Sequence, residues 1–164
     1  MLNYFYIKME GSKQGTFKDE VTDPGQGSRG LGFEQAVTAP RDLASGQATG
    51  RRQHSPIVIT KEWGAASPQL FQALVSNETL KTVQFAFYEP TVRSETETAT
   101  LFFTIKLTNA FVSKIFKYEN FNAAGHQDAH DERFLEDVSF TFQKIEMVHV
   151  ASTTAASDTL NGGG

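Results

Sequence analysis

Apolar and polar side chains alternate along several stretches of the chain, which is the period of a β-strand with one buried face. The first stretch is residues 2–10, and the last and longest is residues 134–150. Similar stretches lie at residues 32–37, 51–61, 83–88, 101–107 and 110–118. In the last strand the apolar phase steps by three from Phe142 to Ile145, which predicts a β-bulge between them. The pattern therefore predicts about seven strands.

One segment has the spacing of an amphipathic helix. Ser67 and Pro68 favour a first helical turn, because the serine hydroxyl accepts a bond from a free N–H and proline loses no bond there. An apolar stripe with the spacing of one helical face follows, made of Leu70, Phe71, Leu74 and Val75. Asn77 tolerates left-handed backbone, so we expect the helix to end there. Burial of the stripe predicts that this helix packs across a sheet.

Long polar connections separate these elements at residues 11–30, 39–50 and 119–133. Loops of this length are often functional. No composition break divides the chain, so residues 1–150 are predicted to form a single β-barrel domain. Residues 151–164 are small and polar and end in three glycines, which predicts a disordered tail. The predicted fold class is mainly β: an antiparallel β-barrel or two-sheet sandwich with one α-helix packed across it.

The composition excludes several classes of protein. The chain has no cysteine, which excludes a disulfide scaffold and a thiolate metal site, and its fourteen phenylalanines favour strands. The formal net charge is −4 and no stretch concentrates basic residues, so no nucleic-acid partner is expected. Apolar stretches are far shorter than the ~20 residues of a membrane-spanning helix, so no membrane insertion is expected. Residues 1–8 lack the features of a signal peptide, which predicts a cytoplasmic protein or export without a cleaved leader.

One cluster has the residue types of a metal site. His126 and His130 lie four residues apart with Asp128 between them, and on a helix this spacing directs both imidazoles towards one ion. The segment lacks an apolar stripe that would hold a helix, so a hydrated polar loop is the favoured interpretation. We expect no catalytic site, metal or cofactor. Two alternatives stay open: a metal-dependent hydrolase using these three residues, and a β-barrel whose phenylalanine-rich faces bind a small ligand.

Three blocks of the sequence resemble the hemolysin-coregulated protein (Hcp) family, the tube subunits of bacterial type VI secretion systems. They are a strand at residues 50–62, a Ser-Pro helix with its following strand at residues 67–85, and a last strand at residues 135–146. The blocks occur in the family's order and together cover most of residues 1–150. Family members commonly carry a tryptophan near the position where this chain has Met147.

The resemblance implies a structural subunit with no enzymatic activity. Subunits of this family form six-membered rings, which stack into a tube inside a contractile sheath. A spike trimer caps the tube, and the rings carry effector proteins and are exported with them. The resemblance therefore implies a homo-hexamer that assembles in the cytoplasm and is then secreted without a cleaved signal peptide.

Five residues are candidates for contacts between subunits. A ring requires a heterologous interface, so each subunit must offer two different patches. Ile57 and Ile59 lie on a strand that is apolar on both faces, which suggests burial against a neighbour. Pro40 and Leu43 lie in a loop that resembles the extended arm of the family, and Arg51 directly follows that loop. We expect Leu43, near the tip, to pack on another chain.

Overall fold

The computed structural model describes residues 3–93, 96–119 and 133–160. In this part of the chain eleven strands and one helix occur. They are β1 (Tyr4–Gly11), β2 (Gly15–Thr16), β3 (Ser28–Gly30), β4 (Gly32–Glu34), β5 (Val37–Thr38), β6 (Gln53–His54), β7 (Ile57–Glu62), α1 (Ser67–Val75), β8 (Leu80–Arg93), β9 (Thr96–Glu119), β10 (Phe134–His149) and β11 (Thr154–Thr159). The number is higher because the connection at residues 11–30 contains β2 and β3, and the C-terminal segment forms β11. In addition, the predicted strands at residues 32–37 and 51–61 are each divided in two, whereas those at residues 101–107 and 110–118 are continuous.

Nine of these strands form one antiparallel sheet that closes on itself. The order is β2-β1-β8-β9-β10-β7-β4, with β3 on β1 and β11 on β10. Strand β3 pairs with β1, and β4, which is separated from β3 by one residue, pairs with β7. Between them Leu31 donates its backbone N–H to the carbonyl of Thr60 at 2.8 Å. This crossing joins the two ends of the strand order, so the sheet becomes a barrel. The predicted fold class is confirmed.

The irregularity in the longest strand pair lies elsewhere than predicted. Strand β9 continues through Asn109, where the sequence predicted two strands, and the register against β10 is unchanged on either side of Gln143. The register shifts between Ser139 and Phe140 instead. Asn109 adopts a φ of 51° opposite Gln143, and its side-chain amide donates to the Gln143 Oε1 at 3.1 Å. The prediction of a bulge in β10 between Phe142 and Ile145 is therefore wrong. The residue with left-handed backbone, Asn109, lies in the partner strand β9.

Aromatic side chains fill the interior of the barrel. The ring of Phe33 lies edge-on to the rings of Phe5, Phe85 and Phe87, with centroids 5.1 to 5.9 Å apart. Phe85 and Phe140 are almost completely buried. Burying each large apolar side chain contributes about 1.5–3 kcal/mol, so these faces form the main stabilising core.

The helix buries only part of its predicted stripe. Leu70 and Ala73 are buried against the barrel, whereas Phe71 and Val75 are 55% and 60% exposed. The helix ends before Asn77, whose φ of 55° confirms the predicted left-handed stop. Among the described residues, no helix has the length and apolar content needed to cross a membrane.

The C-terminal segment is part of the sheet. Residues 154–159 form β11, which pairs with β10 from Lys144 to His149. Strand β7 covers β10 only from Leu135 to Phe140, so the second half of β10 has an edge free for this pairing. The prediction of a disordered tail is wrong for these residues, because hydrogen bonding to an open edge needs no apolar sequence. Residues 161–164 lie outside the described residues.

We predict that replacing Gly27 by alanine destabilises the barrel. Gly27 has a φ of 78°, and an added Cβ would overlap the backbone carbonyl oxygen of Ile7 in β1. The variant should lose at least about 1–3 kcal/mol in the free energy of unfolding, measured by urea denaturation. Gly25 has a φ of 80° with open space around it, so Gly25→Ala is a matched control for backbone strain alone. Equal losses in the two variants would contradict the prediction.

Candidate subunit interface

Residues 36–55 form a β-hairpin outside the barrel sheet, which we call the arm. Its strands β5 and β6 pair only with each other, and Ser55 donates its N–H to the carbonyl of Ala36 at 3.0 Å. Farther out, Arg41 and Ala48 form a β-bridge. All side chains from residue 41 to residue 51 are exposed. The arm is therefore held by its own backbone bonds and has no hydrophobic core.

The tip of the arm is a defined turn that displays an apolar side chain. Asp42 accepts hydrogen bonds from the backbone N–H groups of Ala44 and Ser45 at 2.7 and 3.1 Å. These bonds, that from Ser45 first, lower the pKa of the Asp42 carboxyl. The N–H of Gly46 bonds back to the Asp42 carbonyl at 2.8 Å. Leu43 is fully exposed at this tip, so an apolar contact with another molecule would need little reordering of the turn.

The base of the arm is attached to the C-terminal strand by charged groups. Arg52 Nε and Nη2 each donate to Asp158 at 2.6 Å, and His54 Nε2 lies 2.7 Å from the Asp158 Oδ2. Arg52 Nη2 also donates to the carbonyl of Thr159 at 3.2 Å. The hydrogen bonds from Arg52 and then His54 hold the pKa of Asp158 well below its usual range. We call these three side chains the clamp.

The structure places the five predicted interface residues in two different environments. Pro40, Leu43 and Arg51 lie on the arm, where Pro40 is half-buried and the other two are exposed. Ile57 and Ile59 are completely buried in the core of their own barrel. Their prediction as interface residues is wrong, because β7 lies between β4 and β10 and directs these side chains inward. The assignments on the arm stay predictions.

A buried ionic network connects the start of the helix to the sheet. Lys61 Nζ lies 2.9 Å from carboxylate oxygens of both Glu20 and Glu136, and the three side chains are less than a tenth exposed. Lys117 Nζ contacts the second oxygen of Glu136 at 2.6 Å. The Ser67 hydroxyl donates to Glu136 at 3.0 Å, and it makes no capping bond to the helix, so its predicted capping role is wrong.

Hydrogen bonds within this network favour the ionised form of Glu136 despite its burial. Burial raises the pKa of Glu136, but hydrogen bonds from Lys117 and Lys61 outweigh burial, and the net pKa lies below its ordinary value. Glu136 is therefore ionised at neutral pH and attracts both ammonium groups. Sequence reasoning missed this site, because a lysine in an apolar strand gives no signal of its distant partners.

Two further exposed apolar surfaces were not predicted. Phe71 and Val75 form one on the outer face of α1. Trp63 and Phe134 form the other, with ring centroids 4.9 Å apart and exposures of 43% and 52%. Lys117 Nζ lies 5.2 Å from the centre of the Trp63 ring. These surfaces and the arm tip lie on different elements, so one subunit offers several separate apolar patches.

The structure bears on the alternative ligand cavity but does not describe the candidate metal ligands. His126, Asp128 and His130 lie outside the described residues, so that metal prediction stays a prediction. Where the structure describes the chain, no group of three or more His, Asp or Glu side chains could hold a metal ion. The phenylalanine faces that would line a ligand cavity form the packed core instead.

Comparison with known proteins gives consistent matches along nearly the whole chain. The family model described as "Type VI secretion system effector, Hcp" matches residues 6–149. The "Major exported protein" of Pseudomonas aeruginosa is 36% identical over an alignment that covers 93% of this chain and 92% of that protein. A crystal structure of an Hcp protein has a TM-score of 0.84 at 28% identity, covering 99% of this chain and 100% of the other. Secreted protein Hcp3 of Pseudomonas aeruginosa has a TM-score of 0.74 at 30% identity, covering 98% and 100%.

Proposed function

Because the chain belongs to the Hcp family of type VI secretion proteins, we propose that it is a structural subunit of the secretion tube. Six copies form a ring, and rings stack into a hollow tube. The observation that carries the proposal is the arm, an ordered hairpin whose apolar tip residue Leu43 is fully exposed in the described structure. A projection of this kind is stable in water, and burying its apolar tip against a neighbouring subunit is favourable.

The distribution of exposed apolar groups supports a closed ring. A heterologous ring contact joins two different surfaces of the same chain. The arm tip supplies one, and the surface around Phe71 and the surface around Trp63 are candidates for its complement. Association must overcome about 4–15 kcal/mol of lost freedom, so several such contacts must be buried together.

The packed barrel favours this function over ligand binding. A groove of about 410 Å³ lies between Tyr6, Tyr88, Lys106 and Val148 on the outer face of the sheet, opposite the core. The interior that a ligand-binding barrel would use is filled by aromatic rings. The barrel acts as a rigid wall, and the subunit transforms no molecule.

The proposal extends to the partners of the tube. Effector proteins occupy the lumen of the rings, a spike trimer caps the tube, and a contractile sheath surrounds it. The subunit assembles in the cytoplasm and leaves the cell with its cargo. The family membership and the exported relative support this sequence of events.

The mass of the purified protein in solution tests the proposal. Light scattering coupled to size exclusion should give a particle of about six times the 18.1 kDa subunit. A monomer that binds and is stabilised by a small apolar ligand would contradict the tube function and support the alternative barrel function.

A further inference from the structure

The arm is joined to the barrel at its base. The chain enters and leaves the arm at Ala36 and Ser55, which bond to each other. Among the described residues, the polar side-chain contacts between arm and barrel converge on β11: Arg52 and His54 bind Asp158, and Arg52 also binds Thr159. Because the hairpin is joined to the barrel at one end only, this attachment constrains where the tip lies.

The geometry of the clamp is specific. Arg52 binds both oxygens of the Asp158 carboxylate, an arrangement that fixes orientation as well as distance. The His54 side chain is 7% exposed and its ring lies edge-on to Phe142, with centroids 5.4 Å apart. His54 Nδ1 is buried without a hydrogen-bond partner in the described structure, so Asp158 supplies the ring's polar contact. Loss of the carboxylate would leave two donors facing each other.

We propose that Asp158 is a positioning residue that fixes the direction of the arm, so that the C-terminal strand β11 controls how the arm docks on a neighbouring subunit. The docking part of this inference rests on the proposed tube function, whereas the positioning part concerns the single subunit. Through Asp158, a segment that pairs only at the edge of the sheet determines the geometry of a surface more than a hundred residues away in sequence.

Spin-label distances test the positioning part directly. The chain has no cysteine, so Ala44→Cys near the arm tip and Lys81→Cys on the barrel give two defined labels. Doubly labelled protein is diluted into excess unlabelled protein, so that distances within one subunit are measured. We expect one narrow distance distribution with Asp158 present and a broad one in Asp158→Ala. Hydrogen exchange at the Ser55 amide should become about tenfold faster in that variant.

Two further variants make the result decisive. Arg52→Gln removes the bidentate partner of Asp158 while leaving the sequence of β11 unchanged, and it should broaden the distances in the same way even if Asp158→Ala folds poorly. Ser157→Ala, at an exposed neighbouring position of β11, should leave both measurements unchanged. Narrow distances and unchanged exchange in Arg52→Gln, or in folded Asp158→Ala, would overturn the proposal.

The ring measurement separates this inference from the proposed function. If variants with a broad distance distribution stack into tubes as the wild type does, the docking part of the inference is wrong, although the tube function stands. If the wild type forms no rings, the proposed function fails, and the distance measurement still decides whether Asp158 positions the arm.

Discussion

Replacing Lys61 by methionine is expected to lower the free energy of unfolding by about 3–5 kcal/mol, the usual effect of removing one partner from a buried ion pair. Lys61 is completely buried between Glu20 and Glu136, so the variant leaves their carboxylates without their central cation. Chemical denaturation monitored by circular dichroism measures the loss. Lys81→Met is the matched control, because Lys81 is largely exposed and lies 3.9 Å from its nearest acidic partner.

The same variant should change the pH dependence of stability. The pKa of Glu136 lies below its ordinary value in the folded protein, so its ionised form contributes stability at neutral pH that is lost as the pH falls through the folded-state pKa. Lys61→Met raises this pKa. The difference in unfolding free energy between wild type and variant should therefore shrink as the pH falls and Glu136 becomes protonated, first in the variant and then in the wild type. A difference that stays constant from neutral to acidic pH would show that Glu136 is not the group involved.

Replacing Leu43 by aspartate is expected to leave the subunit folded and to prevent stacking or ring assembly. The side chain is fully exposed in the subunit, so the free energy of unfolding of the subunit should not change. Each buried leucine contact is worth about 1.5–3 kcal/mol, or roughly 10–100-fold in affinity, and a ring repeats that contact in every subunit. Sedimentation velocity should therefore show slower particles than those of the wild type.

Ser12→Asp is the control for this change, because it adds the same charge at an exposed site outside the arm. It should sediment like the wild type. Wild-type sedimentation by Leu43→Asp would show that the arm tip makes no contact of consequence.

Local features of the chain were predictable because they depend on neighbouring residues. Alternation located the long strands, and Asn77 marked the end of the helix through its own backbone preference. The order of three sequence blocks indicated the Hcp family, which the comparisons confirm.

Features that depend on distant partners could not be predicted. An apolar strand such as that of Ile57 and Ile59 is predicted to be buried. Its sequence does not indicate whether the residues that pack on it belong to the same barrel or to another chain. The free edge of β10 that receives β11 exists only in the folded sheet. Asp158 meets Arg52 across more than a hundred residues, and neither residue type alone signals that contact.

Electron microscopy of the purified wild-type protein shows directly whether the subunits form rings. We expect annular particles with six-fold symmetry and a hollow centre, some of them stacked. Images that show only single compact subunits at high protein concentration would contradict this expectation.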